Sequence, residues 1–78
     1  MKKKISKKYI AIVKVADNPD GSAKCLKYRF NDLLLFTAFL DKKWNMWRWF
    51  NVYANRGNYK GEQLDNFTKN RRPLVKTL

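Results

Sequence analysis

Trp44, Trp47, Trp49, Phe50 and Tyr53 fall within ten residues of one another, with Arg48 between two of the tryptophans. Aromatic rings next to cations can stack an unpaired nucleobase while Lys and Arg track its phosphates; each stacked base is worth about 1–3 kcal/mol. The same residue types also anchor protein–protein hot spots, and Trp and Arg can stack on each other with no ligand present. If "NMWRWFNVYA", Asn45 to Ala54, is a strand, its alternation puts Trp47, Trp49 and Tyr53 on one face. Met46, Arg48, Phe50 and Val52 then fall on the other, a core face from which Arg48 must escape or find a partner. The candidate nucleic-acid-binding set is therefore Trp47, Trp49 and Tyr53 with Lys27, Arg29 and Arg48. Around these, Lys2, Lys3, Lys4, Lys7, Lys8, Arg56, Lys60, Arg71 and Arg72 are candidates for phosphate contacts.

Catalysis finds little support in the same list. Histidine is absent and Cys25 is the only cysteine, so a zinc site of the Cys/His kind and a Cys–His nucleophile are both out of reach within one chain. Asp17 and Asp20 sit in a turn, Asp32 at a helix start, and Glu62 and Asp65 in a short expected helix whose N-terminal dipole favours acids. "GNYKGE" lacks the spacing of a phosphate-binding loop. The expectation is a protein that is not an enzyme and uses no cofactor or metal.

Eighteen Lys and Arg against six Asp and Glu give a net charge of +12, with a pI near 10.2. Such an excess attracts polyanions and opposes compaction. Yet 45% of the residues are hydrophobic and 15% aromatic, too many for a disordered basic tail. A chain of 78 residues has room for one core. "MKKKISKK" could pass for the start of a secretory leader, but "YIAIVKVA" is short, is broken by Lys14, and runs at once into "DNPD". The lone cysteine suits a reducing compartment. A cytoplasmic protein without membrane contact is expected.

The elements that must position these residues can be read in order. Residues 1–6 read as a flexible basic arm. "KKYIAIVKVA", Lys7 to Ala16, is a strand with Tyr9, Ala11, Val13 and Val15 on one face and Ile10, Ile12 and Lys14 on the other. "DNPDG" is a strong turn, and "SAKCLKYRF" returns as the second strand of a hairpin, with Leu26, Tyr28 and Phe30 opposite Cys25, Lys27 and Arg29. Asn31 is the expected N-cap of a helix over "DLLLFTAFLDKK", with Leu33, Phe36, Thr37 and Leu40 as its apolar stripe and Leu35 and Phe39 widening it. The tryptophan-rich strand follows, although the helix could instead continue to residue 50. A short helix from about Gly61 to Asn70, anchored by Leu64 and Phe67, precedes Pro73 and a tail over 73–78.

The predicted fold is a small α+β domain over 7–72, an antiparallel sheet of three or more strands in the order ββαβα. The alternative is ββαββ, should Tyr59 begin a strand. With the main helix on Leu26, Tyr28 and Phe30, the side bearing Lys27 and Arg29 joins the tryptophan face. A C-terminal segment carrying Leu64, Phe67, Leu74 and Val75 could cover that face instead.

In its size, its Lys-rich start and the Asn/Lys/aromatic style of "KKWNMWRWFNVYANRGNYKGEQLDNFTKN", the chain resembles the small basic accessory proteins of T-even-type phages. Many of these block a host nuclease, toxin or polymerase, and RNA-binding toxin inhibitors among them are similar in size and charge. The resemblance implies an inhibitor acting on a nucleic-acid enzyme in company with RNA, and transfers no individual residue. Two functions are thus expected in parallel: non-catalytic binding of RNA or single-stranded DNA, RNA favoured, or inhibition of an enzyme that acts on it. A homodimer is compatible with either.

Overall fold

A computed structural model describes residues 7–78; the basic arm expected over 1–6 lies outside the described residues. The elements are β1 (Tyr9–Asp17), β2 (Ala23–Phe30), α1 (Leu33–Lys43), β3 (Trp49–Ala54) and β4 (Gln63–Thr68). They build a four-stranded antiparallel sheet in the order β2-β1-β3-β4, with α1 on one face. The α+β class and the N-terminal hairpin therefore match the sequence reading. The C-terminal helix does not form: the order is ββαββ.

The hairpin turn uses the chemistry its residues offer. Pro19 presets the turn entry, Gly21 takes a φ of 90°, and its amide donates to the Asn18 carbonyl at 2.9 Å. Asp20 Oδ1 accepts from both the amide and the hydroxyl of Ser22 at 2.9 and 2.6 Å. At the helix start the cap is Asp32 rather than Asn31: Asp32 Oδ1 accepts from the Leu35 amide at 2.9 Å. Asn31 is used one position earlier, its Oδ1 taking the Lys8 amide at 2.8 Å. The amide of Leu33, an N–H that the helix itself cannot satisfy, donates to the Lys76 carbonyl at 2.6 Å. The 73–78 tail is thus tied to the helix start, and the Tyr9 hydroxyl accepts from the Leu78 amide at 3.0 Å.

Alternation and helical spacing converge on one core. Tyr9, Ala11, Val13 and Val15 of β1 face Leu33, Phe36 and Leu40 of α1, and all are buried. A spine of rings crosses this layer from β2 to β4. Phe30 stacks on Phe36 with centroids 4.3 Å apart, Phe36 meets Phe50 edge-on at 5.3 Å, and Phe50 meets Phe67 at 5.3 Å. Thr37, buried in the helix, donates its hydroxyl back to the Leu33 carbonyl at 2.8 Å. Leu35 stays outside the core at 69% exposure, so the apolar stripe of α1 is narrower than its sequence suggests.

The segment read as a helix from Gly61 to Asn70 becomes β4 because its partner is waiting. Phe67 pairs with Phe50 and Asn66 with Asn51, which places Phe67 in the spine. A helix there would bury Leu64 and Phe67 together; in the strand Leu64 is 41% exposed and falls at a bulge between Val52 and Tyr53. Gly57 and Gly61, at φ values of 80° and 93°, carry the turn that returns the chain. Tyr59 lies in that turn rather than in a strand.

Candidate nucleic-acid interface

The tryptophan-rich stretch divides later than its alternation suggests. The Trp44 amide donates to the Leu40 carbonyl at 2.7 Å and closes the helix, and the Trp47 amide donates to the Trp44 carbonyl at 2.7 Å in a further turn. The chain meets the sheet only at Arg48, whose amide donates to the Lys14 carbonyl at 2.9 Å. Trp47 therefore does not share the face of Trp49 and Tyr53. It is 1% exposed in the core, 5.3 Å from the Phe50 ring, with Nε1 donating to Asp41 Oδ1 at 3.0 Å. Met46, expected in the core, lies in the turn and is 76% exposed. Arg48 escapes to solvent and pairs with Asp17 at 3.2 Å.

From Trp49 onward the alternation holds. Phe50, Val52 and Ala54 are buried under the helix, while Trp49, Asn51 and Tyr53 are half-buried on the opposite face. Register builds that face in rows. Arg29, Ile10, Tyr53 and Gln63 form one; Lys27, Ile12, Asn51 and Asn66 the next; Cys25, Lys14, Trp49 and Thr68 the third. Cys25, Lys27, Arg29 and Gln63 are exposed on it, and Ile10, Ile12, Lys14, Trp49, Asn51 and Tyr53 are half-buried. The C-terminal segment that could have covered it runs instead toward Tyr9 and the helix start, leaving Leu74 90% exposed. Two shallow depressions mark the face. One holds Ile10, Ile12, Lys27, Tyr53 and Lys60, and the other Trp49, Asn51, Asn66 and Thr68.

A polar ladder ties the strands together between the rings. Asn66 Nδ2 donates to Asn51 Oδ1 at 2.5 Å, and Asn51 Nδ2 donates to the Tyr53 hydroxyl at 3.4 Å. This fixes the Asn51 amide and leaves the phenol proton of Tyr53 free to point outward. Sequence reasoning missed Asn66 and Thr68, because a helical assignment gave them no place on the sheet. Ile10, Ile12, Lys14 and Asn51 were legible through period-two alternation alone.

The acids sort the remaining cations. Asp17 holds Lys14 at 3.1 Å as well as Arg48; hydrogen bonding from Lys14 and the two nearby charges keep its carboxyl below the ordinary value. Asp65 holds Arg71 at 2.8 Å, and the Arg71 guanidinium lies 5.4 Å from the Phe67 ring. Asp41 takes Arg72 and, at 3.8 Å, Lys69. The Arg72 hydrogen bond, against a desolvation penalty, holds Asp41 low, helped by Trp47 Nε1. Lys69 also sits 4.5 Å from the Trp47 ring centroid. Arg48, Arg71 and Arg72 are thereby engaged at the ends and edge of the fold. None of the ion pairs among the described residues engages Lys27, Arg29 or Lys60, the cations beside Tyr53 and its row.

The other candidates lie at the margins. Lys7 and Lys8 precede β1, with the Lys7 carbonyl accepting from Asn55 Nδ2 at 2.9 Å, and Arg56 is exposed in the β3–β4 turn. Lys2, Lys3 and Lys4 lie outside the described residues. Among the described residues no group of three or more His, Cys, Asp or Glu side chains could hold a metal ion, and no helix is long and apolar enough to cross a membrane. A scan against protein-family models, a search of curated proteins and a search of solved structures find no match to this chain.

Proposed function

We propose that this protein binds single-stranded nucleic acid, RNA ahead of DNA, across the open face of its sheet and without catalysis. One observation carries the reading: Trp49 and Tyr53 stand half-exposed on a central strand, with Lys27 and Lys60 beside Tyr53 and Arg29 in its row. Four residues of strand separate the two rings by about 13 Å, so each stacks a different base. Lys27 and Arg29 on β2 and Lys60 beyond β3 flank the Tyr53 end, where they meet phosphates. Duplex offers no free base faces and engages the cations alone.

Binding of this kind is steeply salt-dependent and weakly sequence-selective. The test is a titration of a labelled single-stranded oligonucleotide, as RNA and as DNA, with tryptophan emission followed in parallel. Stacking on Trp49 quenches emission on binding, and Trp49→Phe removes most of the quench while retaining most of the affinity. A full-length protein that leaves single strands unbound at low salt refutes the reading.

A further inference from the structure

Strand β2 pairs with β1 from Ala23 to Phe30, and its other edge meets no described backbone. The opposite edge of the sheet is closed differently. β4 is bulged, the Arg71 guanidinium donates to Asp65 Oδ1 and to the Asn66 carbonyl, and Thr68 and Arg71 exchange backbone hydrogen bonds at 3.2 Å. An open strand edge is a row of amides and carbonyls set for another extended chain.

The two sides of the β2 edge differ in character. On the sheet's open face stand Lys27 and Arg29, both exposed and without an acidic partner among the described residues. On the helix side Tyr28 packs edge-on against Phe39 at 5.3 Å, and Phe39 and Leu35 remain 40% and 69% exposed. Between helix and edge runs an apolar groove of about 410 Å³, lined by Tyr28, Phe30, Leu35, Phe36 and Phe39. Lys7, Arg29, Asn31 and Asp32 also line it.

We propose that the β2 edge receives an extended segment of a partner protein in which acidic residues alternate with apolar ones. The pleat dictates the alternation. Side chains of an added strand point by turns to the two faces of the sheet and lie about 5 Å from their neighbours on β2. One set meets Lys27 and Arg29 and is acidic; the other enters the groove beside the exposed Leu35 and Phe39 and is apolar. A second copy of this chain is a poor occupant, because β2 against β2 sets Lys27 and Arg29 against their own kind on a molecule of net charge +12. The site does not depend on nucleic-acid binding. It shares Lys27 and Arg29 with that face, so the two ligands weaken each other reciprocally.

The experiment uses the full-length protein and a fluorescent, end-blocked heptapeptide alternating aspartate with valine or phenylalanine, read by anisotropy. The parent peptide is expected to bind, and N-methylation of the alternate amides that face β2 to weaken it about 10-fold or more, since each methyl removes a backbone donor. A version with lysine in place of aspartate is expected not to bind. Leu35→Asp, at an exposed position that leaves the core intact, lowers peptide affinity about 10-fold by introducing a charge into the groove. The same variant changes affinity for a single-stranded oligonucleotide by less than about twofold, because the charge lies on the far side of the sheet. Equal binding of the N-methylated and parent peptides overturns the proposal, as does polyaspartate competing as well as the alternating peptide. A dimer seen by sedimentation that Leu35→Asp dissolves also overturns it, by assigning the edge to a second copy.

Discussion

Trp47 and Trp49 are two residues apart and have opposite fates, and exchanging each for alanine separates folding from binding. Trp47 is 1% exposed, packed on Phe50 and hydrogen-bonded through Nε1 to Asp41. Its truncation leaves a cavity and frees a carboxylate acceptor, at a cost of about 3–5 kcal/mol. A domain of 78 residues has roughly 4–12 kcal/mol of stability in all, so Trp47→Ala is expected to unfold at much lower urea or to populate unfolded chains in buffer. Trp49 has water on one side and Lys14 and Thr68 as cross-strand neighbours. Losing those contacts costs about 0.2–1 kcal/mol. At the proposed interface the expected loss is larger: one stacked base is worth about 1–3 kcal/mol, or roughly 5- to 150-fold in Kd for a single strand. Duplex, held through phosphates, is expected to change by less than about twofold. Urea unfolding followed by circular dichroism and anisotropy titrations on both strand forms supply the four numbers. Equal losses for single strand and duplex in Trp49→Ala refute the stacking role, and wild-type stability in Trp47→Ala refutes the division of the two rings.

Replacing Lys2, Lys3 and Lys4 together by alanine is expected to weaken binding evenly across sequences and to reduce the salt slope by up to about 2, at about 0.7 per phosphate released from a single strand; a sequence-dependent loss contradicts this. Asp17, Asp41 and Asp65 are each held below their ordinary value of 3.8 by hydrogen bonds from Lys14, Arg72 and Arg71. Folded carboxylates with lowered pKa bind fewer protons than the unfolded chain. Their stabilisation is therefore complete above about pH 5 and is lost as pH falls below about 4, which urea midpoints measured across that range will register. Asp32→Ala is expected to cost about 0.5–2 kcal/mol through the lost helix cap, with Asp32→Ser restoring most of it. Asn31→Ala loses the bond to the Lys8 amide and is expected to cost about 0.5–1.5 kcal/mol, which Asn31→Ser does not restore.

Much of the fold was legible where local rules and burial agree. The alternation of Tyr9 through Val15 set the core face of β1, "DNPDG" set the turn, and Leu33, Phe36 and Leu40 set the buried side of the helix. The misreading of Trp47 and Met46 has one cause, which is that strand phase begins where pairing begins. Counting from Asn45 put Trp47 outside, but pairing starts with Arg48 against Lys14, and the turn before it folds Trp47 inward. In "EQLDNFTKN" the spacing of Leu64 and Phe67 suits a helix. The choice of strand came from Phe50 and Asn51 across the gap, which no window of nine residues contains. For the proposed interface, alternation and charge in the sequence pointed to Trp49, Tyr53, Lys27 and Arg29, together with Trp47, which the structure buries. The sequence could not show that the acids would engage Arg48, Arg71 and Arg72 and leave Lys27 and Arg29 without an acidic partner among the described residues, because ion pairs such as Asp41–Arg72 join residues 31 apart.

The strand order has a kinetic consequence. β1 lies between its sequence neighbour β2 and the distant β3, so the hairpin and helix can form early from local contacts, but β3 has to be delivered past the helix to the far side of β1. The crossover from β2 through α1 to β3 straddles β1, and the ring spine is incomplete until Phe50 arrives between Phe36 and Phe67. Closing that loop is expected to limit the folding rate, so that Phe50→Leu slows refolding while Phe67→Leu mainly speeds unfolding in stopped-flow measurements. On that order, the face that carries Trp49 and Tyr53 is assembled late, after the basic hairpin and the helix.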